Sequence, residues 1–292
     1  MDWFKRTLLI QTKAFSGNSN LTYRNYNEDW VSIILNITKP AFKNIDDWPT
    51  CSFFAVYDGH GGASCADFLR DNLHQFIVKQ ESFPADPVRA IREGFQEAEN
   101  FFLEIVENAA DEAMEEARET NHEGFVDNSG SCAIVVLIVN DIMYTANVGD
   151  SRAIMSANGG WSVLELSKDH KPNEEGEAYR IIHEGGKIYQ TQTVVPKLDG
   201  SGNEVILGPH WVFPGWLSVS RSFGDIEAKL AKYGGNERVI IADAEIWKFK
   251  IQKEMDYVLL ACDGIFDKCS SAEVIQCVWE GVIEDRAQNV HE

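Results

Sequence analysis

Three apolar runs of strand length in this chain each close on an aspartate with a glycine at its side. Cys51 to Tyr57 leads into Asp58-Gly59, Ile142 to Val148 into Gly149-Asp150, and Tyr257 to Cys262 into Asp263-Gly264. Glycine there lets a backbone carbonyl come close to a ligand that a bulkier residue would block. A fourth acidic element, Asn27-Glu28-Asp29, stands just before the apolar run that begins at Trp30. In an antiparallel pairing the start of one strand lies beside the end of its neighbour, so all four elements can meet on one rim. Two carboxylates about 4 Å apart repel by roughly 4 kcal/mol at an effective dielectric near 20. Three such contacts would rival the ~5–15 kcal/mol net stability of a whole domain. A converged rim therefore needs compensation. Protonation or separation would supply it, and so would a hard divalent cation; Mg²⁺ or Mn²⁺ suits a set of carboxylates and carbonyls. Spacing alone leaves a plainer option open, because Asp-Gly is also a common turn dipeptide.

The scaffold that would carry such a rim is legible in the remaining periodicity. Further strand-length runs lie at Trp30 to Ile37, Ser131 to Val139, Arg152 to Ser156 and Trp161 to Leu166. Asn140-Asp141 and Ala157-Asn158-Gly159-Gly160 read as hairpin connections between such runs, giving an antiparallel meander. Helical spacing joins Ala66, Leu69, Leu73, Phe76 and Ile77 on one face. Asp86-Pro87, a cap followed by proline, opens a longer helix through Val88, Ile91, Phe95, Ala98, Phe102 and Ile105, running toward Arg118. Ser270 and Glu273 form a capping-box signature before Val274, Ile275 and Val278. The acids from Asp111 to Glu119 read as a solvated helix face. Strands and helices alternate too irregularly for parallel βαβ units, so the expected class is α+β: two antiparallel sheets with helices outside. No linker divides the chain, and residues 1–292 are expected to form a single domain. Gly185 to Gly215, rich in Gly, Pro, Gln and Thr, reads as the core of a loop-rich insertion spanning about 172–216.

Charge and cysteine usage narrow the setting. A formal charge of −20 without a basic patch argues against nucleic acid or an anionic membrane as partner. No apolar run reaches the ~18 residues of a membrane span. The six cysteines form no CxxC pair, and Met1 to Arg6 does not read as a secretory leader, so an intracellular location, cytoplasmic or nuclear, is expected. Oligomeric state is not readable.

Seven segments, taken in order, resemble the motifs of the PP2C-type metal-dependent protein serine/threonine phosphatases. They are YRNYNED from Tyr23, VYDGHGG from Val56, SGSCA from Ser129, ANVGDSR from Ala146, DHKP from Asp169, LSVSRSFGD from Leu217 and LACDGIFD from Leu260. The resemblance implies two packed antiparallel sheets flanked by helices, with a centre of two Mg²⁺ or Mn²⁺ ions at one end and a weaker third. It implies that Asp58 bridges two ions, that Glu28 and the Gly59 carbonyl bind one, and that Asp263 binds the other. Asp150 and Asp267 would serve the third ion, shared with Asp263. Arg24 matches a phosphate-binding arginine, whose planar fork suits phosphate oxygens, and His60 matches a general acid. Asp29 is expected to orient its neighbours, and His170 and Arg221 to be structural. The implied substrates are phosphorylated proteins, hydrolysed at phosphoserine or phosphothreonine by an activated water without a phosphoenzyme.

Two departures accompany the resemblance. The closing Asp-Asn pair and last apolar strand that it implies do not occur after Asp267. The expectation is then either a piece of a longer chain or a site with fewer protein ligands, and a non-catalytic docking module stands as the alternative. The stretch from Lys187 to Phe213 is longer than the resemblance implies; it corresponds to a flap beside the site, expected to bear on substrate choice. A calcium loop of the DxDxDG type and a P-loop are both absent.

Overall fold

The computed structural model describes residues 27–120, 126–197 and 201–289. Its elements are β1 Trp30–Ile34, β2 Cys51–His60, α1 Ser64–Lys79, α2 Pro87–Thr120, β3 Gly130–Val139, β4 Ile142–Val148, β5 Arg152–Ala157, β6 Ser162–Glu165, α3 Glu175–His183, β7 Lys187–Pro196, β8 Asn203–Phe213, β9 Phe223–Gly224, α4 Ile226–Lys229, β10 Glu245–Lys250, β11 Met255–Ala261, α5 Asp263–Phe266 and α6 Ser271–Asn289. One sheet runs β1-β2-β3-β4-β10, with β9 beside β3; a second runs β11-β5-β6; β7 and β8 form a separate ribbon. All strand pairs are antiparallel.

Side-chain alternation explains the layers. Along β2 and β3, Phe53, Ala55, Tyr57, Ala133, Val135 and Leu137 pack with Leu69, Leu73, Ile77 and Phe95 of α1 and α2. The alternate residues Phe54, Val56, Ile134 and Val136 pack instead with Ala153, Met155, Val258 and Leu260 of the second sheet. On that sheet's outer side, Ile154, Tyr257 and Leu259 meet Val274, Ile275 and Trp279 of α6. The order is helix, sheet, sheet, helix, an α+β sandwich, and the central strands read as unbroken apolar runs because both of their faces are covered.

Local signals sit where the sequence puts them. The Arg89 N–H donates to Asp86 Oδ1 at 3.1 Å, capping α2. Ser270 and Glu273 exchange reciprocal bonds of 2.7 and 3.3 Å at the start of α6. Asp111 and Glu112 lie exposed on α2, as a solvated face requires. No described helix is long and apolar enough to cross a membrane.

Other expectations need correction. The stretch around Lys187 to Phe213, expected to be loop-rich, is chiefly the β7–β8 ribbon, and α3 precedes it. Much of this ribbon stands in water, and Val212 is the one buried residue of its two strands, so they lack the alternation that would mark them. β10, unforeseen, is an edge strand whose Glu245, Lys248 and Lys250 dilute its apolar signal. β1 ends at Ile34 rather than Ile37.

Candidate active site

The same alternation that builds the sandwich aims the acids. Phe54 and Val56 of β2 face the second sheet, so Asp58, two residues further, lies on the inter-sheet side. Val258 and Leu260 of β11 face the first sheet, and that parity carries Cys262 and the start of α5 at Asp263 to the same end of the sandwich. Ligand atoms of Asp58, Cys262 and Asp263 come within 4.8 Å of one another. Residues 205 positions apart in sequence thus meet because two sheets end on one rim.

The acidic element before β1 joins them by register. Trp30 pairs with Tyr57, and continuing that ladder sets Asp29 beside Asp58 and Glu28 beside Gly59. A Cβ on Gly59 would lie 2.3 Å from the Glu28 carbonyl oxygen, so only glycine permits this approach. The buried Glu28 side chain is aimed by the Gly62 N–H, which donates to its Oε1 at 2.7 Å. Cys262 Sγ lies 3.7 Å from Asp29 Oδ2.

Electrostatics record the crowding. Burial first, then the charges of Asp263, Asp29 and Asp150, push the Asp58 carboxyl up to about 8, and His60 only partly offsets them. Burial likewise raises Asp263, helped by Asp150 and Asp267, while Lys171 opposes the rise. Carboxylates raised by burial and by acidic neighbours are what a bound cation would relieve, and their oxygen donors suit a hard one. The residues present therefore fit Mg²⁺ or Mn²⁺. Cys262 adds a soft sulfur beside them, held as a thiol because burial, then Asp58 and Asp29, push it up to about 12.

Around this rim the remaining residues take distinct places. Asp150, buried after β4, accepts from the Lys171 ammonium, and Cys132 Sγ lies 3.3 Å from its other oxygen. Lys171 is itself raised: burial lowers it, but Asp150, Asp267 and Asp263 outweigh that effect. Asp267 is exposed at the end of α5, its N–H donating to the Asp263 carbonyl at 2.8 Å. His60 closes β2 and holds Asp225 through Nε2 at 2.9 and 3.0 Å. Burial disfavours the His60 imidazolium, yet Asp225 and then Asp58 carry it up to about 9. Arg24 lies outside the described residues, as does the start of its motif.

His170 is buried, its Nδ1 accepting from the Gly149 N–H at 3.2 Å while Nε2 faces Glu245 at 3.3 Å. Burial, then the Arg221 charge, hold it down to about 4, a neutral ring that braces the Gly149-Asp150 turn. Arg221 clamps Glu177. Lys171 and Asp225 were not singled out by the sequence reading. Gly224-Asp225 repeats the Gly-Asp pattern of Gly149-Asp150, but no strand-length apolar run precedes it, so the pattern alone passes over it.

Comparison with known proteins shows what the chain is similar to. The family model described as Protein phosphatase 2C matches residues 23–290. A probable protein phosphatase 2C of Caenorhabditis elegans is 34% identical over 245 residues, covering 83% of this chain and 58% of its own length. Protein phosphatase 2C homolog 3 of Schizosaccharomyces pombe is 32% identical over 257 residues, covering 88% and 52%. The chain thus spans about half the length of the curated relatives it matches. A solved serine-threonine phosphatase 2C from Toxoplasma gondii has the same fold at a TM-score of 0.54 and 17% identity, covering 88% of this chain and 84% of that one. A C. elegans sex-determining protein does so at 0.59 and 22%, covering 87% and 52%.

Proposed function

The chain belongs to the protein phosphatase 2C family, and from that premise we propose that its acidic rim is a divalent-metal site for hydrolysis of phosphoserine and phosphothreonine in proteins. The observation that carries this reading is the meeting of Asp58, in β2 of one sheet, with Asp263, which opens α5 just after β11 of the other, at ligand distance. A structural turn has no use for two carboxylates that burial and their acidic neighbours both raise.

Asp58, Glu28, the Gly59 carbonyl and Asp263 are the proposed ligands for two ions of Mg²⁺ or Mn²⁺, with Asp150 and Asp267 toward a weaker third. When bound there, such cations neutralise the carboxylates, acidify water and draw charge from phosphoryl oxygens. The chain's own residues then have separable tasks. Glu28, fixed by Gly62, and Asp58, fixed in β2, hold their oxygens on a rigid sheet end, so little reorganisation accompanies binding. Lys171 pairs with Asp150 and orients it. Arg24 is proposed to grip the phosphate, and His60 to give the departing serine or threonine oxygen its proton. Water attacks phosphorus from the opposite side, so no side-chain nucleophile is required.

The β7–β8 ribbon, with Val194, Val205, Ile206 and Leu207 exposed, is proposed to bear on substrate choice. Six free cysteines suit a reducing, intracellular setting.

Phosphopeptide turnover with and without Mn²⁺, on this chain and on Asp58→Asn, tests the reading. Metal-dependent phosphate release that falls at least 100-fold in the variant supports it. A folded chain that releases none at millimolar Mn²⁺ would instead fit a docking module.

A further inference from the structure

At the mouth of the rim three strands place His60, Gly130 and Gly224 in one row: His60 pairs with Gly130, and Gly130 pairs with Gly224. The chain then turns sharply, with φ of +71° at Gly224 and +56° at Asp225, and the Asp225 N–H donates to the Ser129 carbonyl at 3.0 Å. That turn brings the buried Asp225 carboxylate back across Gly130 to His60 Nε2, while Ser222 Oγ donates to its Oδ2. The space over Gly130 is filled by this pair. A Cβ there would stand 2.2 Å from Asp225 Oδ2 and 2.4 Å from His60 Nε2.

The turn is clamped from behind. The Gly224 N–H donates to Glu99 Oε2 at 2.9 Å, and Lys229 Nζ bonds both Glu99 and the Ser222 carbonyl, at 2.7 Å to the latter. Glu99 and Lys229 are both buried. A carboxylate that accepts from a hydroxyl, on a turn pinned by backbone bonds and a buried ion pair, is set on rigid parts, unlike a surface acid that happens to meet a histidine.

We infer that Asp225 is a positioning residue that locks the His60 ring through Nε2, leaving Nδ1 as the atom that protonates the departing alcohol, and that Gly130 is the gap that lets the two meet. The inference rests on the reading of His60 as proton donor. In that step the P–O bond breaks, its electron pair passes to the serine or threonine oxygen, and that oxygen takes the proton from Nδ1. The ring is left neutral, with its Nε2 proton still held by Asp225. A carboxylate behind a histidine fixes tautomer and orientation without itself reacting.

The test exploits leaving groups. p-Nitrophenolate departs without proton assistance, whereas a threonine alkoxide needs it. With the full chain and Mn²⁺, the ratio of kcat on a phosphothreonine peptide to kcat on p-nitrophenyl phosphate is measured for wild type, His60→Gln, Asp225→Asn, Gly130→Ala and the double variant. The expected ratio falls about 10- to 100-fold in each single variant, and Asp225→Asn changes nothing further once His60 is Gln. If His60→Gln shifts the ratio and Asp225→Asn does not, or if the two effects multiply, the inference fails while the proposed function stands. If His60→Gln leaves the ratio unchanged, His60 is not the donor, and the inference falls together with that role of His60 while metal-dependent hydrolysis stands. Histidine ¹⁵N spectra of the wild-type chain give a reading that needs neither turnover nor folded variants. A proton on His60 Nε2 is expected, and a neutral ring protonated on Nδ1 alone would overturn the inference.

Discussion

Asp58 carries the sharpest chemical signature of the proposed metal site. Burial and its acidic neighbours raise its carboxyl to about 8, so near neutral pH the metal-free centre retains a proton that a cation must expel. Apparent Mn²⁺ affinity is therefore expected to fall about tenfold per pH unit below that value and to level off above it. Calorimetric titrations from pH 6 to 9 read this directly, and a flat profile would contradict it. The sign for folding is the opposite one. A carboxyl whose folded value is raised stabilises the fold below the ordinary carboxylate range and loses that contribution as pH rises toward 8. The Tm of the metal-free chain should decline over that interval, and saturating Mn²⁺ or Asp58→Asn should remove the decline. Gly59→Ala puts a Cβ 2.3 Å from the Glu28 carbonyl, so Mn²⁺ affinity is expected to drop at least tenfold in a chain that still folds. Arg24→Ala should lower kcat/KM on phosphopeptides by about 10- to 100-fold, the loss of one charged hydrogen-bonding group of about 1.5–3 kcal/mol.

At the scale of elements, what reads out of sequence depends on what each element buries. Cys51 to Tyr57 and Ser131 to Val139 are legible because helices and the second sheet cover both their faces. The Asp86 and Ser270 caps are legible because a cap is a local bond between near neighbours. The β7–β8 ribbon was not, although Val194-Val195 and Val205-Ile206 stood in the sequence. Its strands pair with each other in the open, and the Gly, Pro and Gln around them carried the stronger turn signal. The Glu99–Lys229 pair was illegible for another reason: its members are 130 positions apart, and only the packing of α2 against α4 buries them together. Removing one partner leaves the other as an uncompensated buried charge, so Lys229→Met is expected to cost about 3–5 kcal/mol in urea unfolding. Ser270→Ala, which loses only a cap, should cost about 1 kcal/mol. Comparable losses for the two would show that the pair is solvated.

The whole molecule adds what no single element contains, a rim where two sheets end together. Strand-end aspartates supplied the sequence clue, but Asp58 and Asp263 had to be carried to one place by register and layer order: Asp29 and Glu28 arrive through β1, Asp58 through β2, Asp150 through β4, and Asp263 through β11 and α5. Lys171 and Asp225 come from loops that sequence alone could not aim. The most direct check is anomalous scattering from crystals grown with Mn²⁺. One peak in contact with carboxylate oxygens of both Asp58 and Asp263, at about 2.0–2.3 Å, is the expected result. Peaks that touch one of the two but never both, or no peak at millimolar Mn²⁺, would contradict a metal centre shared between the sheets.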